Sequence, residues 1–119
     1  MSAHIIDVTD RVVTLKVTGQ LRQPELAAAQ QRVAEIIQQR GEIRLLVQAG
    51  NFTGFDPGGD WGDLSFQAQY DPFIEKIAIV GDKKWEDLTL MFTGKGIRRV
   101  PIEYFEAASL LKAKAWLSA

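Results

Sequence analysis

Cysteine is absent from this chain of 119 residues, which removes a disulfide framework, a thiolate metal site and a cysteine nucleophile together. Histidine is nearly absent: His4 is the only one, and without a cysteine or a matching acidic partner it signals neither a zinc site nor a triad. No apolar run approaches the ~20 residues that span a bilayer, and Met1–Val12 lacks the basic start and apolar core of a secretory signal. The cytoplasm is the expected compartment. Charge of one sign is also missing. A formal net charge of -1 gives no concentrated basic face to displace phosphate counterions, so nucleic acid is not an expected partner.

What is present is order. Apolar strand-like runs at Val12–Thr18, Ile43–Val47, Ile74–Val80 and Ile97–Ile102 alternate with amphipathic stretches, the pattern of strands paired side by side under helices. Ile5–Val8 is expected to pair with Val12–Thr18 through Thr9-Asp10-Arg11, so the sheet begins with a hairpin. Pro24 suits a first helical turn, and Leu26, Ala29, Val33, Ile36/Ile37 and Arg40 recur at helical spacing until Gly41. Ile43–Val47 is nearly continuous in apolar character, as a central strand covered on both faces should be. The spacing then predicts a helix opening at Asp56-Pro57 with Trp61, Leu64, Ser65 and Ala68 inward, ended by Asp71-Pro72. A shorter helix is predicted over Lys83–Thr93 with Trp85, Leu88, Thr89 and Phe92 on one face and Leu90 and Met91 off it. Pro101, which cannot donate to a ladder, makes Ile97–Ile102 an expected edge strand. The final helix carries Ala107, Leu110, Leu111, Lys114 and Leu117. The expected fold is a single α/β domain over 1–119, with a mixed central sheet of about five strands flanked by about four helices.

The candidate sites divide by chemistry. Gly50–Trp61 holds four glycines and a proline beyond the carboxyl end of a buried strand, where ligands favour open α/β sheets. Phe52, Phe55 and Trp61, with Leu88, Met91 and Phe92 of the later helix, are the candidates to line a mostly apolar cleft; large aromatics are more often packed in a core. Lys83, Lys84, Lys95, Arg98 and Arg99 are the expected contacts for anionic groups or a membrane surface. The alternative is a solvated turn before a charged edge strand, since Gly94-Lys95-Gly96 lacks the rest of a phosphate loop. Asp56, Asp60 and Asp63 share a helical face, but acidic residues near a helix start complement its dipole without a metal. No metal or cofactor is expected. Thr53 is a weak phosphorylation candidate beside its ordinary role as a turn hydroxyl.

Taken together, Leu45-Leu46-Val47, Phe52-x-Gly54, Trp61, Asp63-Leu64, Phe73, the Ile77-Ala78-Ile79-Val80-Gly81-Asp82 block and Ala115-Trp116-Leu117 resemble the SpoIIAA-like family. The resemblance covers nearly the whole chain. It implies a fold similar to STAS domains, the sulphate-transporter and anti-sigma-factor-antagonist modules, with a further likeness to CRAL-TRIO lipid-transfer domains, and it implies binding without established catalysis. In phosphorylated antagonists a serine follows an acidic residue at the start of the helix after the central strand. Here that region reads Gln48-Ala49-Gly50-Asn51-Phe52-Thr53, without the motif.

Two functions follow as expectations. The first is a non-catalytic module for an apolar small molecule or lipid, with peripheral membrane contact. The second is a STAS-type protein-interaction module using the same face, either with another protein or as a homodimer. No nucleophile and base are paired in a way that would support a hydrolase.

Overall fold

The computed structural model describes residues 2–119. Its sheet has five strands in the order of the chain: β1 (Ala3–Thr9), β2 (Val12–Leu21), β3 (Ile43–Phe55), β4 (Ile74–Gly81) and β5 (Ile102–Glu106). β1 and β2 form the expected antiparallel hairpin, closed by Asp10-Arg11, with Asp10 at φ 55°; aspartate tolerates this left-handed region better than most residues. All later pairings are parallel.

Four helices accompany the strands: α1 (Gln23–Arg40), α2 (Ser65–Tyr70), α3 (Glu86–Thr93) and α4 (Leu110–Ser118), with one-turn 3-10 segments at Asp71–Phe73, Lys83–Trp85 and Ala107–Ser109. Parallel strands that advance in one direction, joined by crossovers of one hand, place α1, α2 and α3 on one face of the sheet. Period-two alternation supplies both faces with apolar side chains. Val33 and Ile37 of α1 pack with Leu45, Ile77 and Ile79, while Ala113 and Leu117 of α4 pack with Leu46, Ala78 and Val80. The near-continuous apolar character of Ile43–Val47 is therefore that of a strand buried on both sides.

Two boundaries and one helix face depart from the sequence expectation. No helix begins at Asp56-Pro57. Instead the Oδ1 atoms of Asp56, Asp60 and Asp63 accept backbone N–H bonds from Gly58, Gly62 and Ser65 at 3.0, 3.2 and 3.0 Å. These successive turns give the backbone an alternative to helix, and α2 starts only at Ser65. Ile97–Val100 is not strand: Gly94 and Gly96 take φ values of 80° and 87°, and the N–H groups of Ile97 and Arg98 both bond Gly94 O. β5 begins after Pro101 and is the edge beside β4. In α4 the inward residues are Leu110, Ala113, Trp116 and Leu117, whereas Leu111 is 80% exposed and Lys114 is exposed.

The C-terminal end of α4 is tied to the sheet. Lys76 Nζ donates to the carbonyls of Trp116 and Ala119 at 2.8 and 2.9 Å, and Arg44 Nη1 donates to Leu117 O. Trp116 O also accepts the Ala119 N–H at 3.3 Å, so Lys76 adds a charged donor there, while Arg44 meets one of the last carbonyls of the helix.

Candidate functional site

The strand order advances without reversal, so the parallel part of the sheet has no topological switch point of the kind that opens a crevice in doubly wound folds. The space lies instead between the sheet and the helical layer. A cavity of about 180 Å³, partly open to solvent, has a floor that includes Leu15, Val17, Leu45, Val47, Ile77 and Ile79. Leu26, Gln30 and Val33 of α1 form one wall. Asp60–Leu64, α2 and the Thr89, Phe92 and Thr93 face of α3 form the others.

Five aromatics gather at one end. Phe55 stacks on Phe92 with centroids 4.1 Å apart and planes 18° apart, while Phe52 and Trp61 meet Phe55 edge-on at 5.1 and 5.2 Å. Trp85 meets Phe52 at 5.3 Å. Such pairs contribute ~0.5–1.5 kcal/mol each beyond their buried area. Trp61 is fixed further by its Nε1–H donating to Asp56 O at 2.7 Å. Gly59 permits this approach, because a Cβ there would fall 2.7 Å from Gln23 Cβ and 2.9 Å from Trp61 Nε1.

Phe52, Phe55, Trp61 and Phe92, expected to share a cleft, are brought together and line the cavity. Leu88 and Met91 are not among its lining residues. On α3 the positions at i, i+3 and i+4 that share a face are Thr89, Phe92 and Thr93, which leaves Leu88 half-buried elsewhere and Met91 68% exposed. Leu90, expected off the buried face, packs against the core.

The basic set also divides. Arg98 is withdrawn from the surface: its Nε donates to Asp71 Oδ2 at 2.9 Å, Nη2 bonds Oδ1 of the same carboxylate, and Nη1 donates to Thr93 O at 3.1 Å. Its side chain is 11% exposed. Lys95 pairs with Glu103 at 3.2 Å, and Lys84 lies over the Trp85 ring at 5.5 Å. Lys83, Lys84 and Arg99 are exposed. Thr53 is exposed inside β3, not at a helix start.

Sequence reasoning missed the Arg98–Asp71 pair, the floor from β2, and Gln30 and Gln67 as polar lining residues. It placed Thr89 on the inward face without assigning it a role. Two carboxyl groups are held below the usual carboxylate range. Asp63 is lowered by the Ser65 hydroxyl and then the Ser65 N–H, Glu25 by the hydroxyl and then the N–H of Ser2. Tyr104, whose hydroxyl donates to Asp82 O at 2.7 Å, is pushed up to about 12 by burial and then by Glu86 and Asp82. Among the described residues no group of three His, Cys, Asp or Glu side chains is arranged to hold a metal, and no helix is long and apolar enough to cross a membrane.

A mixed sheet with a leading hairpin, three helices on one face and one on the other defines a small α/β domain of the STAS-like class. The SpoIIAA-like family model matches residues 12–118, and the chain belongs to that family. Among solved structures, it is similar to an uncharacterised protein of the DUF3478 family with a SpoIIAA-like fold from Shewanella loihica PV-4. The identity is 15%, the TM-score 0.73, and the match covers 97% of this chain and 91% of that one. It is also similar to the Bacillus cell fate determinant SpoIIAA in its phosphorylated form, at 12% identity and a TM-score of 0.62, covering 96% of this chain and 98% of that one. At such identities the likeness establishes the fold. No curated protein sequence matches.

Proposed function

We propose that the chain is a non-catalytic regulatory module that works by binding another protein through the α3 side of the domain. Family and fold support an interaction or regulatory role. The geometric observation that carries the choice of surface is the exposure of Met91 (68%) and Ile97 (90%), large apolar side chains on and just after α3. Exposed apolar groups grouped on one element mark interaction surfaces more often than scattered ones do. The missing acidic-serine motif argues against regulation by a phosphoserine in the loop after the central strand.

Hydrogen exchange tests this with proteins that co-purify with the chain, each isolated and added back. Protection of Leu90–Ile97 that a folded Met91→Asp/Ile97→Asp variant abolishes supports the reading. Protection confined to other elements, or unchanged in the variant, overturns it. Native mass spectra across a concentration series identify the case in which the partner is a second copy.

The cavity favours a second reading, in which the module also takes up an apolar small molecule. A peripheral membrane role would fall to Lys83, Lys84 and Arg99, because Arg98 and Lys95 are paired with acids. At ~1 kcal/mol per basic residue near an anionic surface, three cations give weak, salt-sensitive attraction.

A further inference from the structure

We propose that the cavity is a binding site for a neutral, ring-sized molecule bearing one hydrogen-bonding group, which the Thr89 hydroxyl holds. This rests on the second reading above and adds the size, charge and polar contact of the ligand.

Size comes first. The cavity of about 180 Å³ is close to a buried apolar space of ~150 Å³ that takes up benzene. It is smaller than the ~300–1,000 Å³ of pockets for larger ligands. A single ring fits; a two-chain lipid does not.

Polarity follows from Thr89. The residue is 8% exposed and lines the cavity, yet its hydroxyl makes no hydrogen bond with the described residues, whereas the Thr93 hydroxyl donates to the carbonyls of Thr89 and Leu90. The Thr89 hydroxyl is not among the sealed orphan atoms, which among the described residues are Arg44 Nε and Glu75 Oε1, so it keeps some contact with solvent. On an otherwise buried residue that lines the cavity, it is a polar group without a protein partner that an entering molecule can engage.

The remaining lining groups argue against an anion. Arg98 is already neutralised by Asp71 in a two-bond contact, and Asp60 and Asp63 also line the cavity. An anionic head would meet two carboxylates and no free cation, and burying it unpaired is disfavoured. A neutral hydroxyl or N–H avoids both costs.

Phenol, toluene and benzoate at pH 7 are the probes, titrated into the whole chain and followed by amide chemical shifts and Trp fluorescence. Toluene is the default winner in a purely apolar site, since phenol must leave more water behind. The expected result is saturable phenol binding roughly fivefold or more tighter than toluene, as one satisfied hydrogen bond gives, with benzoate weakest. Thr89→Val should erase the phenol preference and leave toluene affinity within about twofold; Thr89→Ser should keep the preference. Equal phenol and toluene binding, unmoved by Thr89→Val, overturns the role of the hydroxyl and leaves the cavity reading standing. Tighter benzoate binding overturns the charge assignment. If no probe gives saturable shifts, the ligand reading falls with the proposal. The comparison of probes on the unaltered chain decides these outcomes even if the valine variant fails to fold.

Discussion

The two faces of this sheet are finished differently. On one, α4 sets Ala113 and Leu117 against Leu46, Ala78 and Val80, all buried, and Lys76 and Arg44 hold the helix end. On the other, three helices and an irregular loop leave a cavity. The strands are not the cause, because β3 sends Leu46 to the sealed face and Leu45 and Val47 to the open one. The cover is. A helix laid along the sheet can interdigitate side chain by side chain to near-crystalline density. The sealed face is covered by one helix, α4, whereas the open face is covered by α1, the six-residue α2, the eight-residue α3 and a loop before α2 held by its own aspartate turns. The space left where these separate elements meet is the cavity.

Truncation on the sealed face should produce the largest effect. Leu117→Ala is expected to cost ~2–5 kcal/mol in urea unfolding, because Leu117 is 1% exposed and packs among buried residues of the sealed face. Leu64→Ala, at a cavity-lining residue that is 56% exposed, should stay within ~0.5 kcal/mol. Equal costs would show that the open face is packed as tightly as the other and would remove the cavity as a property of the solution fold.

Asp71→Asn sharpens the same contrast from the open side. Asp71 neutralises Arg98 and thereby joins the end of α2 to the turn after α3. Without the carboxylate the guanidinium is left mostly buried and partly unpaired, and a loss of ~1–3 kcal/mol is expected. Exchange of amides over 94–100 should accelerate more than that of α4. Uniform acceleration across both faces would mean that the pair supports the whole domain and not its cavity side.

The sequence made the sheet legible because alternation and β-branched runs are local signals. The Ile43–Val47 run, the Pro24 helix start and the Gly41 stop all reappear in the structure. Resemblance located the family, now shown over residues 12–118. The aromatic quartet Phe52, Phe55, Trp61 and Phe92 was legible as a set, but Met91 and Leu88 were not separable from it, since a difference of one position on α3 decides which wall they join. The Arg98–Asp71 pair was hidden for another reason: its members are 27 residues apart, and nothing local distinguishes Arg98 from the exposed Arg99. Asp56-Pro57 misled because a helix cap and an aspartate turn use the same side-chain oxygen, and only Gly58 and Gly59 tilt the choice.

The smallest expected effect concerns how α1, a wall of the cavity, is pinned at its start. Glu25 Oε1 accepts bonds from the N–H and hydroxyl of Ser2 at 3.0 and 2.6 Å, and the same hydroxyl accepts from Arg22 N–H at 3.1 Å. Those Ser2 contacts favour the ionised carboxylate and hold the folded pKa of Glu25 below its ordinary value. A group whose pKa falls on folding adds stability above its unfolded pKa, and that stability disappears as pH drops through the folded value. Glu25→Gln should therefore lower Tm slightly at neutral pH, and its curve should converge on that of the unaltered chain as the solution is acidified below the carboxylate range. Ser2→Ala should reproduce the convergence in part, because it removes the hydroxyl, the larger of the two causes of the lowered Glu25 pKa, and leaves the Ser2 N–H. If the Tm curves of variant and parent instead run parallel through the acid range, the Glu25 carboxylate has no role in holding α1, and the start of that helix must be held by its packing.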